Sequence, residues 1–318
     1  MIHIWNHCYN CNATPIVGRR FHCESCPDGP DNDLCEPCYE KFRAGKIIHP
    51  AEDSSAALLE IKEHRFEVTE GKPADRYESW LSVAHPAAPA PRTPDHFVVR
   101  PIFSSHMDSV IGSCAFVAKV EANTEPLLLT ALHIMDELIK QKGIDCSEQN
   151  KNYTGKELPA IITHVDIYNI FKSNWMMAHL GTAGPMLVLP NARTGGEEPY
   201  SDRDIAAFRV QDARQLNPVL LAGRAPMKGE PVWQAARSLG KPDRQLFKAV
   251  IVESTDRTLV FKYEDPGEKP KYISGSPLLN RNGEIVGVTV GGGEFNGALL
   301  GHANHVGNIR KHLTGSSF

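Results

Sequence analysis

Three Cys-x-x-Cys pairs fall within the first 38 residues of this 318-residue chain: Cys8 and Cys11, Cys23 and Cys26, Cys35 and Cys38. His49 and His64 follow them. A two-residue gap lets both thiolates of a pair reach one tetrahedral ion at about 2.3 Å. Six thiolates and two imidazoles make eight ligands, a full set for two zinc ions. So short a segment has little interior and needs a staple of this kind. A disulfide framework is the other use of such spacing, but it calls for an oxidising compartment. The opening MIHIWNHCYNC has no basic stretch followed by an apolar run, so a cytoplasmic, zinc-bound head is expected. Three pairs also exceed what redox chemistry at a single Cys-x-x-Cys requires. His3, His7 and His22 compete as ligands and otherwise read as surface histidines. Cys114 and Cys146 stand alone and read as structural or surface thiols.

The head runs to about residue 66. Residues 67–96 change character, and HPAAPAPRTPD within them reads as an extended, semi-rigid Pro/Ala-rich linker. From residue 97 to 318, short apolar runs alternate with turn residues: FVVRPIF, CAFVAKV, PLLLTA, DIAAFRV, FKAVIVES, TLVFKY, EIVGVTV and GALLGHA. That spacing predicts a mainly β body, a sandwich or a barrel. Helical patterns appear in HIMDELIKQK and in the closing NHVGNIRKHL. About 220 residues suit a double β-barrel. At 41% apolar and 23% charged residues, the chain can build real cores, which excludes a wholly disordered protein. No stretch reaches the ~18 apolar residues of a membrane helix, so no membrane partner is expected. A net charge of −4 offers no positive field for nucleic acid.

Three short motifs mark the body: TALH at 130–133, SDRDIAAFRV at 201–210 and YISGSPLL at 272–279. Ser274 lies in I-S-G-S-P, where Gly275 permits a tight turn. A serine hydroxyl needs a base, and that base needs a carboxylate to orient it. His133 closes an apolar strand. Asp204 abuts another, with Asp202 as its competitor. The order His133, Asp204, Ser274 fits two barrels, with two members on the first and the nucleophile on the second. Taken singly, SGSP is equally a plain β-turn, and a lone histidine is equally structural.

The head resembles a ZZ-type zinc finger through CYNCNATPIVGRRFHCESC and DNDLCEPCYEKF, over residues 1–66. The resemblance implies interleaved pairs: Cys8, Cys11, Cys35 and Cys38 on one zinc, and Cys23, Cys26, His49 and His64 on the other. It also implies a peptide-binding surface, with Asp31 and Asp33 placed to grip a partner's N-terminal peptide. The plainer view is that Asp28, Asp31, Asp33 and Glu36 form a solvated acidic loop. Tyr9 stands where the family often has an acidic residue.

Residues 97–318 resemble trypsin-like serine peptidases of the chymotrypsin fold, through TALH, DIAAFRV and ISGSPLLNRNGEIVGVTVGG. The tail GGGEFNGALLGHANHVGNIRKHL is similar to the glutamyl endopeptidase branch. The resemblance implies a two-barrel fold with a C-terminal helix, the catalytic triad His133, Asp204 and Ser274, and an oxyanion hole built from the N–H groups of Tyr272 and Ser274. Glycine is usual where Tyr272 stands, so the hole needs ordering by a partner, or else the fold serves binding alone. By position, Glu268, Thr289, Val290, Gly291 and His302 line the substrate pocket. Glu268 attracts Lys or Arg there, or is a solvated loop charge in EDPGEK. Thr289 and His302 are placed to hydrogen-bond Glu or Gln. The expected whole is a serine endopeptidase acting on protein or peptide substrates, with a recruiting zinc-finger head. The alternative is a non-catalytic adaptor.

Overall fold

The structure is a computed structural model. It describes residues 1–25, 32–49, 64–106, 108–135, 138, 158–170, 177–187, 189, 192, 202–213, 215–236, 245–265 and 273–314. These divide into two compact units. The first takes residues 1–82 together with the hairpin tip Gly292–Leu300. The second takes the chain from Val83 to Gly291 and from Gly301 onward.

The first unit has strands β1 (Ile2–His3), β2 (Ile16–Val17), β3 (Arg19–Cys23) and β4 (Asp33–Cys35), then helix α1 (Glu36–Arg43), strand β5 (Phe66–Glu70) and helix α2 (Ala74–Leu81). β1 pairs with β2, and β3 is the centre of an antiparallel β4-β3-β5 sheet. Phe21 lies opposite Leu34 on one side and Val68 on the other. Helix α1 begins with Glu36 and a proline in its first turn, both favoured where orphan N–H groups point outward. It buries Cys38 and Phe42, four residues apart and so on one face. The core is small: Ile16, Phe21, Leu34 and Phe42, with Cys8, Cys35 and Cys38. Three of its seven buried members are therefore thiols.

Residues 67–81 depart from the extended spacer expected of residues 67–96. FEVTE extends the finger sheet as β5, and ADRYESWL forms α2, which buries Tyr77 and Trp80. The prolines that suggested a spacer begin only at residue 86. Upstream of them, the alternation in FEVTE and the i, i+3 aromatic pair carry their own periods. Residues 83–94 have neither helix nor strand.

The second unit holds two six-stranded barrels, as the sequence predicts. The first closes in the order β6 (Val98–Ser104), β8 (Ala115–Lys119), β9 (Leu127–Thr130), β12 (Ala206–Val210), β11 (Met177–Met186), β10 (His164–Ile170) and back to β6. Two short strands, β7 (Ser109–Ile111) and β13 (Val219–Leu220), join its edges. The second barrel closes as β14 (Pro231–Ala236), β15 (Gln245–Ser254), β16 (Thr258–Tyr263), β19 (Ala298–His305), β18 (Ile285–Phe295) and β17 (Pro277–Leu279). The LLLT of β9 is buried throughout, which is why it reads as a continuous apolar run rather than an alternating one. A C-terminal helix, Val306–Thr314, turns Val306, Ile309 and Leu313 inward. Among the described residues, no helix is long and apolar enough to cross a membrane.

Candidate active site and metal centre

Strand β9 ends at Thr130, and a 3-10 turn, Leu132–Met135, carries His133. Asp204 stands just before β12, and β12 pairs with β9 in register, Ala206 opposite Thr130. That pairing brings two residues 71 apart in sequence into contact. Asp204 is 0% exposed. Its Oδ1 accepts the N–H of Leu132 at 2.6 Å and of His133 at 3.0 Å. Its Oδ2 accepts the Nδ1–H of His133 at 2.6 Å. A buried carboxylate holding three donors is fixed as an acceptor, so His133 keeps its proton on Nδ1 and presents Nε2 as the basic atom. Asp202, its sequence competitor, serves otherwise. Its backbone carbonyl accepts from the side chains of Asn304, Asn308 and His312, which seats the C-terminal helix. Its carboxylate lies 3.7 Å from Arg257.

Ser274 sits partly exposed on a turn that is clamped from two directions. Its carbonyl accepts the N–H of Cys114 at 3.1 Å, and the Gly275 N–H donates to the Thr289 carbonyl at 2.8 Å. Gly275 has φ +81, and a Cβ there would stand 2.2 Å from the Cys114 oxygen, 2.3 Å from Thr130 Oγ1 and 3.1 Å from the Ala131 nitrogen. The Ser274 turn therefore rests directly on the segment two residues before His133. The Ser274 hydroxyl donates to the Val290 carbonyl at 3.3 Å. Gly275→Ala is expected to lower the melting temperature of the barrels markedly. The left-handed backbone alone costs about 1–2 kcal/mol, and the Cβ overlap adds to it. An unchanged Tm by calorimetry would contradict this close seating.

The expected pocket residues divide. Val290 contributes its carbonyl to Ser274. Gly291 leaves room for the His302 ring: a Cβ there would lie 2.6 Å from Nε2. Burial pushes the His302 imidazole down to about 4, with Asp204 pulling it up and His133 pushing it further down. His302 is thus neutral near pH 7 and close enough to sense both residues. Thr289 is 1% exposed, and its Oγ1 accepts from Gln234 Nε2 at 3.0 Å. Its hydroxyl is thus taken up inside the second barrel by Gln234. The interior geometry of β14 and β18 decides that, and spacing alone does not show it. Glu268 and Tyr272 lie outside the described residues. Sequence reasoning missed Gln234, although a lone polar residue in the apolar run PVWQAA was its signal.

In the finger, the thiols of Cys8, Cys11, Cys35 and Cys38 all lie within 4.8 Å of one another. Cys11 and Cys35 are 3.7 Å apart, sulfur to sulfur. Tetrahedral ligation at about 2.3 Å places thiolates roughly 3.8 Å apart, so this cluster fits zinc. Asn10 donates an N–H to the Cys38 sulfur at 3.3 Å, a hydrogen bond that suits a ligating thiolate. Cys23 Sγ lies 3.4 Å from His64 Nδ1. The His49 ring is 5.9 Å from that of His64 and is 2% exposed. Neither His49 nitrogen has a hydrogen-bond partner among the described residues. A buried imidazole left so is costly unless a metal takes it. Cys26 lies outside the described residues.

Asp33 is not the open carboxylate expected to grip a peptide. It is 3% exposed, 2.8 Å from the Arg20 guanidinium and 2.9 Å from His22 Nδ1. Asn6 donates to its other oxygen at 3.0 Å. Burial would raise its carboxyl, but the bond from His22 and the charge of Arg20 outweigh that and hold it below the usual range. The β3–β4 register, His22 opposite Asp33, creates this pairing. Asp31 lies outside the described residues.

Comparison with known proteins follows the same division. Residues 112–288 match the model of the trypsin-like peptidase domain, and residues 2–47 match that of the ZZ-type zinc finger. The active form of the Rv3671c protease from M. tuberculosis is 16% identical, with a TM-score of 0.41, over 74% of this chain and 96% of that one. The serine endoprotease from Yersinia pestis is also 16% identical, with a TM-score of 0.40, over 74% of this chain and 64% of that one. Over 43 residues, 14% of this chain, the sequence is 46% identical to the auxin transport protein BIG of Oryza sativa subsp. japonica. This chain spans only 1% of that protein's length.

Proposed function

Because this chain belongs to the trypsin-like peptidase domain family, we propose that it is a serine endopeptidase using His133, Asp204 and Ser274 as its triad. The observation that carries this reading is the buried Asp204 carboxylate. It holds His133 by two hydrogen bonds and the adjoining Leu132 N–H by a third, while the Ser274 turn rests on the same strand end. In the reaction, Ser274 Oγ attacks the scissile carbonyl carbon, and its proton passes to His133 Nε2. Asp204 stabilises the imidazolium and stays ionised. The tetrahedral oxyanion is held by backbone N–H groups, that of Ser274 among them. The Gly275 N–H is already bonded to Thr289 and so is not one of these donors. Collapse of the intermediate expels the amine, which takes the proton from His133 and leaves an acyl-Ser274 ester. Water, deprotonated by the same Nε2, then hydrolyses the ester. His302, a neutral imidazole next to this centre, is the residue placed to meet a polar substrate side chain.

The finger takes two zinc ions in this reading, one on Cys8, Cys11, Cys35 and Cys38 and one on Cys23, Cys26, His49 and His64. Bound zinc would supply the finger's fold and no catalytic step. Six thiols that must stay reduced to ligate it suit the cytoplasm. The finger recruits a protein partner or substrate through its surface. The internal Arg20–Asp33 pair argues against capture of a peptide amine by Asp33.

The activity in this reading is low at rest, and rises when a partner docks on the finger or when the chain is cut within segment 83–94, for example after Arg92, an exposed residue. The test is covalent labelling by a fluorophosphonate probe, run on the intact chain and on the chain cut in that segment. Faster labelling after cleavage is expected. Equal rates would reduce the finger to a delivery module, and no labelling of either form would establish the adaptor reading.

A further inference from the structure

The second barrel holds a polar group that the triad chemistry does not use. Gln234 on β14 is fully buried. Its Nε2 donates to Ser276 Oγ at 2.9 Å and to Thr289 Oγ1 at 3.0 Å. Its Oε1 accepts the Tyr263 hydroxyl at 2.6 Å. Both N–H donors and one of the two acceptor positions of the oxygen are used, and every partner is itself buried. Burial raises the Tyr263 hydroxyl well above the ordinary phenol value, so it stays a proton donor at any working pH.

The two hydroxyls that Gln234 holds are not arbitrary. Ser276 is two residues after Ser274. Thr289 immediately precedes Val290, whose carbonyl receives the Ser274 hydroxyl. The main chain joins these segments twice more: Gly275 N–H to Thr289 O at 2.8 Å, and Thr289 N–H to Ser276 O at 2.8 Å. The nucleophile turn and β18 thus form one rigid piece, and Gln234 is the only group among these contacts that ties both segments to β14. The turn is a tight one, with Ser276 N–H on the Ile273 carbonyl at 3.0 Å, so a shift at Ser276 is transmitted to Ser274 within one peptide unit or two.

A barrel interior needs no such network to be stable. Replacing a bonded polar set by apolar groups of the same shape is often neutral or better. Where an interior keeps one, geometric definition is the return. We propose that Gln234 is a positioning residue: it sets the nucleophile turn against β18 so that Ser274 Oγ is presented for attack, with Tyr263 fixing the orientation of its carboxamide. This rests on the serine-peptidase reading above.

The test uses the full-length chain carrying Gln234→Met, which keeps the volume and removes the bonds. A second variant, Gln234→Leu with Tyr263→Phe, removes the carboxamide and the phenol together and so leaves fewer unpaired groups if the single change folds poorly. Three quantities are read: the rate of labelling by a fluorophosphonate per folded chain, kcat and KM for a cleaved peptide, and Tm. A displacement of about 1 Å at a reacting atom costs on the order of 100-fold in rate. Labelling rate and kcat are therefore expected to fall 10- to 100-fold in both variants, with KM within about two-fold of wild type. A purely structural role moves Tm and the folded fraction but leaves the rate per folded chain unchanged, and that result overturns the proposal. A change confined to KM also overturns it. Wild-type protein that does not label at all sinks the peptidase reading and this proposal with it, and that failure is visible before any variant is made.

Discussion

Ser274→Ala is expected to reduce peptide hydrolysis by roughly 10⁴- to 10⁶-fold, with Tm close to wild type. The hydroxyl's recorded contact is one bond to the Val290 carbonyl at 3.3 Å, on a partly exposed side chain, so its loss barely affects the fold. His133→Ala should cost about as much, and the double variant should be no worse than either, because the members act as a unit. Asp204→Asn is the more informative change. An amide oxygen can still take one or two of the three donors that Asp204 now holds, but its NH2 cannot accept the His133 Nδ1–H. The ring is then driven to the wrong tautomer, with Nε2 protonated, at a cost of about 10⁴ in kcat. Loss of an acceptor at this buried site should lower Tm as well. Asp202→Asn provides the contrast. Its helix-seating contacts use the backbone carbonyl, and among the described residues its carboxylate reaches Arg257 alone, at 3.7 Å, so activity should stay within about two-fold. Steady-state rates on one peptide, normalised to folded protein, read all five variants. Hydrolysis surviving in Ser274→Ala would remove it as the nucleophile, and an Asp202→Asn loss matching that of Asp204→Asn would reverse the carboxylate assignment.

What the sequence disclosed and what it withheld follow from the range of the forces involved. The barrels were legible because each strand is a short apolar run between turn residues, a pattern that local burial imposes. The His133–Asp204 contact was legible because both residues abut apolar strands that must pair, and the register Ala206 opposite Thr130 does bring them together. The thiols were legible as metal ligands from their spacing, since ligand distances are fixed by the ion, and the grouping of Cys8 and Cys11 with Cys35 and Cys38 came from the resemblance to the ZZ-type finger. Asp33 was not, because its role depends on which residue β3 sets opposite β4. Only the register reveals that Arg20 and His22 close around it. Gln234 was withheld for the same reason: its partners come from β16, β17's approach and β18, 29, 42 and 55 residues away. Residues 67–81 were obscured by the stronger composition signal of the prolines behind them.

Removing the metal should unfold the finger while the barrels persist. Among the seven buried members of its core, Cys8, Cys35 and Cys38 belong to the four-thiol cluster, and the apolar remainder is only Ile16, Phe21, Leu34 and Phe42. Burying so little apolar surface does not offset the ordering entropy of a segment this long. A structural zinc contributes an apparent ~10–16 kcal/mol, and in such modules that binding energy is folding energy. Protein purified without chelator should carry two zinc ions per chain. Cys35→Ser should lose the ion at the four-thiol cluster, and His49→Ala the other, so each variant is expected to retain one at most. The two lesions should differ in what they expose. Cys35 lies in β4 and is part of the finger's core, so its loss should make residues 1–49 protease-sensitive. His49 packs against Phe42, His64 and Phe66, so its loss should first free β5 from the sheet. Acid should strip both ions, because thiolates and imidazoles must be deprotonated to bind. Stability of the finger should therefore fall as pH drops below neutrality and return when zinc is restored at pH 7. Metal analysis, limited proteolysis and calorimetry of the full chain separate the outcomes. A single zinc that His49→Ala does not displace would leave the four-thiol site alone and show that the His49 nitrogens find their partners elsewhere. A finger still folded in excess chelator would mean that the apolar core suffices without metal.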